Sequence, residues 1–196
     1  MLKRLFDIIS SLLGILILSP FFVLIAICII IDSRGGIFYR QMRVGKEGVE
    51  FWLLKFRSMR TNSDKAGLLT VGGRDSRITR VGYFIRKYKI DEFPQLLNVL
   101  KGDMSIVGPR PEVKKYVDLY NTDQRMVLDV RPGMTDYASI EYSNENDILG
   151  KAADPERAYI DEIMPAKLQL NMKYIREKGL LTDLKIIFRT FGKILS

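Results

Sequence analysis

An uncharged stretch of 24 residues between Asp7 and Asp32 constrains this chain more than any other feature. As a helix rising about 1.5 Å per residue it would reach about 36 Å, enough to cross the hydrocarbon core of a bilayer. A buried helix of a soluble protein is the plainer alternative, and the length speaks against it. A secretory signal would close on a small-residue cleavage site. Here the run ends Cys28-Ile29-Ile30-Ile31-Asp32, so the segment is expected to be retained.

Ser19-Pro20 stands in the middle of the run. A proline there removes one amide donor and crowds the carbonyl one turn earlier, so a kink is expected, with the Ser19 hydroxyl available to the freed carbonyl. Lys3 and Arg4 precede the run, and Arg34, Arg40, Arg43 and Lys46 follow it. The positive-inside rule therefore draws both ends to the cytoplasm. The residues alone leave two topologies open: a re-entrant helix and an ordinary single span with a tolerated kink.

With 196 residues there is room for one compact domain beyond the membrane element. The chain has no His, and its single Cys, Cys28, lies inside the apolar run. Imidazole catalysis, His-ligated zinc, internal disulfides and Cys metal clusters are thereby excluded. Lys and Arg number 31 against 23 Asp and Glu, a net charge of +8 that attracts phosphates, nucleic acid or acidic lipid. Any metal should be a hard, oxygen-liganded ion such as magnesium. The balance favours phosphate chemistry.

After Gly35-Gly36, the segments Ile37–Gln41 and Val49–Leu54 read as strands of a hairpin around Val44-Gly45-Lys46-Glu47-Gly48. Arg60 to Arg77, with Gly67, Gly72 and Gly73, reads as a loop. Ile78, Val81, Ile85 and Tyr88 recur at helical spacing among Arg80, Arg86, Lys87 and Lys89. A further helix is expected to start near Asp91 as N-cap and to stop at Gly102. Leu184, Ile187, Phe188, Phe191, Ile194 and Leu195 form an apolar stripe opposite Lys185, Arg189 and Lys193, suited either to a membrane interface or to the protein's own core. The fold class that follows is α+β, mainly helical, with a small β-hairpin.

Asp91 and Glu92 lie side by side where a helix N-terminus is expected, an end that favours anions and would keep a carboxylate ionised. Capping alone explains such a pair in most proteins. Its company adds weight. Gly108-Pro109-Arg110-Pro111 displays an arginine between two prolines, Val130-Arg131-Pro132-Gly133 sets another beside a turn, and Lys55 and Arg57 follow the second strand. A stiffly held guanidinium suits a phosphate or diphosphate. The residues together describe a cationic pocket around two carboxylates near a bilayer, which fits transfer of a phosphoryl-linked group to a lipid.

Several spaced motifs in one order then carry a resemblance. They are Lys3-Arg4 with Asp7, Ser19-Pro20, IFYRQMRVGKEG from Ile37, KFRSM from Lys55, DEFPQLLNVLKGDMSIVGPRP from Asp91 and VRPGMT from Val130. The chain resembles the bacterial monotopic phosphoglycosyl transferases, the polyprenyl-phosphate sugar phosphotransferases of the bacterial sugar transferase group. The resemblance implies a re-entrant membrane helix over residues 1–34, broken at Ser19 and Pro20, with both ends cytoplasmic. It implies a membrane-associated catalytic domain over residues 35–196, on the cytoplasmic face of the bacterial inner membrane.

The implied reaction moves a sugar 1-phosphate from a UDP-sugar to a polyprenyl phosphate such as undecaprenyl phosphate, releasing UMP and starting glycan assembly. Carried onto this sequence, Asp91 would attack the sugar-linked phosphorus and form a covalent phosphosugar intermediate. Glu92 would help hold magnesium. Arg110 would bind phosphate or nucleotide, Arg131 would contact the donor, and Lys55, Arg57 and Arg86 would support the anionic pocket. Membrane lipid is an expected partner, nucleic acid is not, and a homodimer is compatible. Asp136-Tyr137-Ala138-Ser139 after the VRPGMT motif departs from the commoner pattern, as do Lys89-Ile90 and Phe93 more mildly. Two other readings stand beside it: a non-catalytic, membrane-anchored basic binding protein, and a phosphohydrolase with Asp91 as nucleophile and water as acceptor.

Overall fold

The computed structural model describes residues 2–61, 63, 69–72 and 75–195, the last without its side chain. Gly67, Gly73 and the Leu195 side chain, named above, lie outside the described residues. The architecture is α+β and mainly helical, as expected.

The apolar run folds as one helix, α1 (Leu2–Asp32), with Pro20 inside it. Pro20 leaves the carbonyl of Leu16 without its amide. The Ser19 hydroxyl donates to that carbonyl at 2.9 Å, which is how a proline persists within a long helix. Only Asp7, Ser11, Ile25 and Ile29 of α1 are buried. Its other faces expose Leu12, Leu13, Leu16, Ile17, Val23, Leu24, Ile27 and Ile30, and its length and composition suffice to cross a membrane.

Both ends of α1 are tied to the rest of the chain. Near its start, Lys3 Nζ donates to the carbonyl of Val107 at 3.0 Å and pairs with Asp183. Arg4 donates to the carbonyls of Val99 and Leu100 at 2.6 and 2.9 Å. Asp7 Oδ1 accepts from Ser105 Oγ and from the amide of Ile106, both at 3.0 Å. Near its end, Asp32 Oδ2 accepts the amide of Val81 at 2.9 Å. The Arg57 guanidinium donates to the carbonyls of Ser33 and Arg34, both at 2.6 Å. Apart from the Lys3–Asp183 pair and the Ser105 hydroxyl bond, these ties satisfy backbone groups at helix ends and short strands.

Strands β1 (Phe38–Val44) and β2 (Glu50–Phe56) form the expected antiparallel hairpin, longer than the sequence suggested, with Phe38 opposite Phe56 and Val44 opposite Glu50. Helix α2 (Arg80–Lys87) begins on Thr79, whose hydroxyl accepts the Gly82 amide at 2.9 Å. A Cβ at Gly82 would stand 1.9 Å from the Ser58 carbonyl oxygen, so only glycine lets α2 lie this close to the chain leaving β2. Ile25 and Ile29 of α1 pack with Phe56, Ile85 and Ile90.

Helix α3 (Gln95–Lys101) starts later than expected. Asp91 is not its N-cap: Ile90–Glu92 form a separate 3-10 turn, and Pro94 caps α3 without a side-chain bond. Gly102 ends the helix in the left-handed conformation at φ 104°, as expected.

A second pair of strands escaped the sequence reading. β3 (Ser105–Val107) and β4 (Gly133–Thr135) lie parallel, Ser105 opposite Gly133 and Val107 opposite Thr135. Three residues each carry too little periodicity to be seen alone. A Cβ on Gly133 would fall 2.1 Å from the Gly108 amide nitrogen, so the glycines of VGPRP and RPGMT are what let the two segments touch.

The remaining helices are α4 (Lys114–Val117), α5 (Tyr137–Glu141), α6 (Glu145–Leu149), α7 (Pro155–Ala158), α8 (Met164–Glu177) and α9 (Leu180–Leu195). The largest apolar cluster gathers Val44 of the hairpin, Tyr116 of α4, Leu149 of α6, Met164 and Leu168 of α8, and Val113, Tyr120 and Tyr159 from the segments between them. In α9 the two expectations divide. Asp183 and Ile186 face inward, while Leu181, Phe188 and Phe191 stay exposed, Phe188 at 72%.

Candidate active site

Lys89 adopts a left-handed backbone at φ 56°, and this turns the chain sharply from α2 into the 3-10 turn that carries Asp91 and Glu92. A left-handed conformation disfavours a side chain with a Cβ, so the neighbouring packing must hold it. Ile90, buried against Phe56 and Ile85, supplies that hold.

The two carboxylates consequently point to different surroundings. Glu92 Oε2 accepts from Arg110 Nη1 at 3.0 Å, and its Oε1 accepts from Arg110 Nη2 and from Lys55 Nζ, the latter at 3.0 Å. Asp91 is 4% exposed and makes no side-chain hydrogen bond among the described residues. It lines a cavity of about 720 Å³ that also takes in Lys55, Arg57, Arg86, Arg110 and Tyr39. Glu92 is not part of that lining.

Burial raises the Asp91 carboxyl above the ordinary aspartate range, and Glu92 adds to the rise; the Lys55, Arg86 and Lys89 charges oppose it. The expectation that a helix N-terminus would favour its ionised form thus gives way to desolvation. Burial pushes Glu92 upward too, but the charge of Arg110, then that of Lys55, and the Arg110 hydrogen bonds outweigh it and hold Glu92 well below the ordinary range. Burial lowers the Lys55 ammonium and Glu92 partly restores it. Glu92 is therefore a fixed anion that fastens two cations, and Asp91 is the carboxylate left to face the cavity.

Arg110 is held from several sides. Its amide donates to Asp136 Oδ2 at 3.2 Å, and Asp136, fully buried, also accepts the Ser139 amide at 2.6 Å. Arg43 of β1 donates to the carbonyl of Pro111 at 3.0 Å and to Glu112 Oε1 at 2.8 Å. The unusual Asp136 therefore supports the Pro-Arg-Pro loop from behind.

The other basic residues of the sequence reading separate. Arg86 lines the cavity, and its Nη2 donates to Thr70 Oγ1 at 3.0 Å. Arg57 lines it as well, but its Nη groups are engaged by carbonyls at the end of α1. Arg131 is exposed, donates from Nε to the Gly102 carbonyl at 2.9 Å, and does not line the cavity. The structure adds groups that carry no local sequence pattern. Lys167 pairs with Glu145 at 2.7 Å, Tyr159 donates to Glu112, and Asn171 reaches the same cavity from α8. Only Glu112 had a local signal, next to the Pro-Arg-Pro loop.

Among the described residues no group of three or more His, Cys, Asp or Glu could hold a metal ion. Magnesium asks for less, since it takes one or two carboxylates and completes its shell with water and substrate phosphate. The Asp91 carboxylate, facing the cavity unpaired, fits that demand. Glu92 fits only by sharing an oxygen with Arg110 or Lys55.

A buried carboxylate facing a cation-rimmed cavity, beside a helix apolar enough for a bilayer, defines the class: a membrane-associated protein built to handle anionic groups. The chain belongs to the bacterial sugar transferase family, whose profile it matches over residues 1–196. It is 37% identical to a UDP-N-acetylgalactosamine-undecaprenyl-phosphate N-acetylgalactosaminephosphotransferase of Aeromonas hydrophila, over 100% of this chain and 44% of that protein. It is 34% identical to a UDP-glucose:undecaprenyl-phosphate glucose-1-phosphate transferase of Caulobacter vibrioides, over 99% of this chain and 70% of that one. An Escherichia coli protein with the same activity in its name is 34% identical, over 98% and 40%. The chain thus spans less than half of two of these three relatives.

Proposed function

We propose that this protein transfers a sugar 1-phosphate from a UDP-sugar to undecaprenyl phosphate, releasing UMP, at the cytoplasmic face of the bacterial inner membrane. The observation that carries it is the Asp91 carboxylate, buried, without a hydrogen-bond partner among the described residues, and facing a cavity rimmed by Lys55, Arg86 and Arg110. The names of the relatives point to the same donor and acceptor.

An Asp91 carboxylate oxygen attacks the phosphorus that bears the sugar. The bond from that phosphorus to the bridging oxygen breaks, and UMP leaves with the oxygen. A phosphate oxygen of undecaprenyl phosphate then attacks the same phosphorus, and the acyl-phosphate bond breaks to restore the Asp91 carboxylate. Lys55, Arg86 and Arg110 bind the diphosphate and offset the charge that gathers on it in each step. Burial withholds water, which favours the lipid as acceptor over hydrolysis. Magnesium, held by Asp91 and by Glu92 only through an oxygen shared with Arg110 or Lys55, would add positive charge at the diphosphate.

A re-entrant α1 is part of the proposal, with residues 35–196 on the cytoplasmic side. It is supported by the ties at both ends of the helix, Asp7 to Ser105 and Ile106 and Asp32 to Val81. A helix of about 46 Å crossing the bilayer once would carry one of those ends to the far side. Exposed Leu181, Phe188 and Phe191 of α9 add a second apolar surface for the interface.

The test is UMP release from a panel of UDP-sugars by the purified protein in magnesium, with and without undecaprenyl phosphate. Lipid-dependent release is expected from one donor. Without lipid, a single equivalent of UMP and a protein mass raised by one sugar phosphate are expected. Sustained release without lipid would make the protein a hydrolase, and no release from any donor would leave a binding protein.

A further inference from the structure

The donor has two ends beyond its diphosphate, and one end of the cavity is suited to only one of them. We propose that the end walled by Tyr116, Tyr159, Leu168 and Asn171 seats the uracil ring of the donor, with Asn171 reading its imide N–H. This subsite rests on the UDP-sugar reading above.

Asn171 is 5% exposed, and its Oδ1 has no hydrogen-bond partner among the described residues. It stands in α8 at the spacing Met164, Leu168, Asn171, Ile175, where the other three pack into the largest apolar cluster. An aliphatic residue would fill such a position at lower cost, because a buried amide oxygen without a partner loses its hydration and gains nothing. A group that enters with the cavity's ligand would supply the missing partner. Just before α8, Tyr159–Ile163 form a π turn, a local widening of the helix that recurs at functional sites. It sets Tyr159 and Met164 into the cavity wall.

The rest of the wall distinguishes a base from a sugar. Glu112 is engaged by Arg43, Tyr159 and the Val113 amide, and Glu145 by Lys167. A sugar brings several hydroxyls, each needing a partner once buried, and the three bonds to Glu112 and the Lys167 pair leave these carboxylates less to offer. Uracil brings one N–H between two carbonyls, which matches a side-chain amide, and a flat ring with few polar groups, which suits a wall where Tyr116 and Tyr159 already pack on each other. Two relatives whose names carry different sugars, N-acetylgalactosamine and glucose, share the uridine diphosphate.

The experiment compares UDP with CDP by calorimetry, using the full chain in detergent with magnesium, for wild type, Asn171→Leu and Asn171→Ala. Cytosine carries a bare acceptor nitrogen where uracil carries the N–H. Wild type is expected to bind UDP about tenfold more tightly than CDP, and both variants to bind the two alike. Because the readout is a ratio within each protein, a general loss of stability does not imitate it. Turnover with a UDP-sugar is followed in parallel. An unchanged ratio in the variants of an enzyme that still releases UMP overturns the subsite and leaves the function intact. A changed KM among UDP-sugars with an unchanged UDP to CDP ratio would give this end to the sugar and also overturn it. A wild type that binds neither nucleotide and releases no UMP removes the functional reading, and the subsite with it.

Discussion

Arg110 and Glu92, 18 residues apart, meet fork to fork, each guanidinium Nη on a different carboxylate oxygen. Lys55 takes the same carboxylate from the hairpin side. Three segments of the chain are thereby fastened at one anion, next to the only carboxylate that faces the cavity unpaired among the described residues.

Arg110→Lys is expected to lower kcat/KM by about a hundredfold, because a point charge cannot reproduce the paired contact. Arg110→Ala should also lower stability by about 2 to 3 kcal/mol, since it leaves half of a buried Glu92 carboxylate unpaired. Steady-state kinetics and thermal melting measure the two effects separately. Wild-type kinetics in Arg110→Lys would remove the guanidinium from the site.

Asp91→Asn is expected to abolish turnover and, at neutral pH, to raise the melting temperature. Burial lifts the carboxyl above its unfolded value, so the folded protein binds the proton more tightly than the unfolded chain. Ionised Asp91 therefore destabilises the fold at pH values above its folded pKa, and the penalty disappears below the unfolded value of about 3.9. The gain in the variant should shrink as pH falls toward that value. A lower melting temperature at neutral pH would contradict this account of the site.

The acid limb of kcat/KM should lie above the ordinary aspartate range, because Asp91 must be ionised to attack. Lys55 lowers the Asp91 carboxyl by its charge, so Lys55→Met should move that limb to higher pH. A pH profile of single-turnover UMP release measures both. A limb that does not move would separate Lys55 from Asp91.

Replacing Cys28 and placing single cysteines just before Leu2 and at Gly36 tests the helix. In intact cells neither is expected to react with an impermeant maleimide, and in inside-out vesicles both should react. Labelling of either one from outside the cell would replace the re-entrant helix with a single span.

Gly133→Ala should disrupt the protein severely, because the added carbon would meet the Gly108 amide nitrogen at 2.1 Å. The damage should appear first in the Pro-Arg-Pro loop, which follows Gly108 directly. Loss of activity at growth temperature, with protease cleavage near Arg110, is the expected result.

The sequence by itself determined what is local or chemical. The uncharged run fixed α1, the absence of His and the single Cys narrowed the catalytic groups to carboxylates, Lys, Arg, Tyr and hydroxyls, and two short apolar and aromatic runs around a glycine turn marked the hairpin. Ser19 could be assigned to the carbonyl freed by Pro20 because both lie within one turn. Only the tertiary structure decided which carboxylate is fixed and which faces the cavity, since that depends on Arg110 and Lys55 arriving from distant segments. It likewise turned Arg57 toward the end of α1, left Arg131 outside the cavity, and brought Asn171 in from α8. Periodicity records which face of an element is buried; the partner across that face, and the desolvation that sets a buried group's charge, exist only once the segments have met.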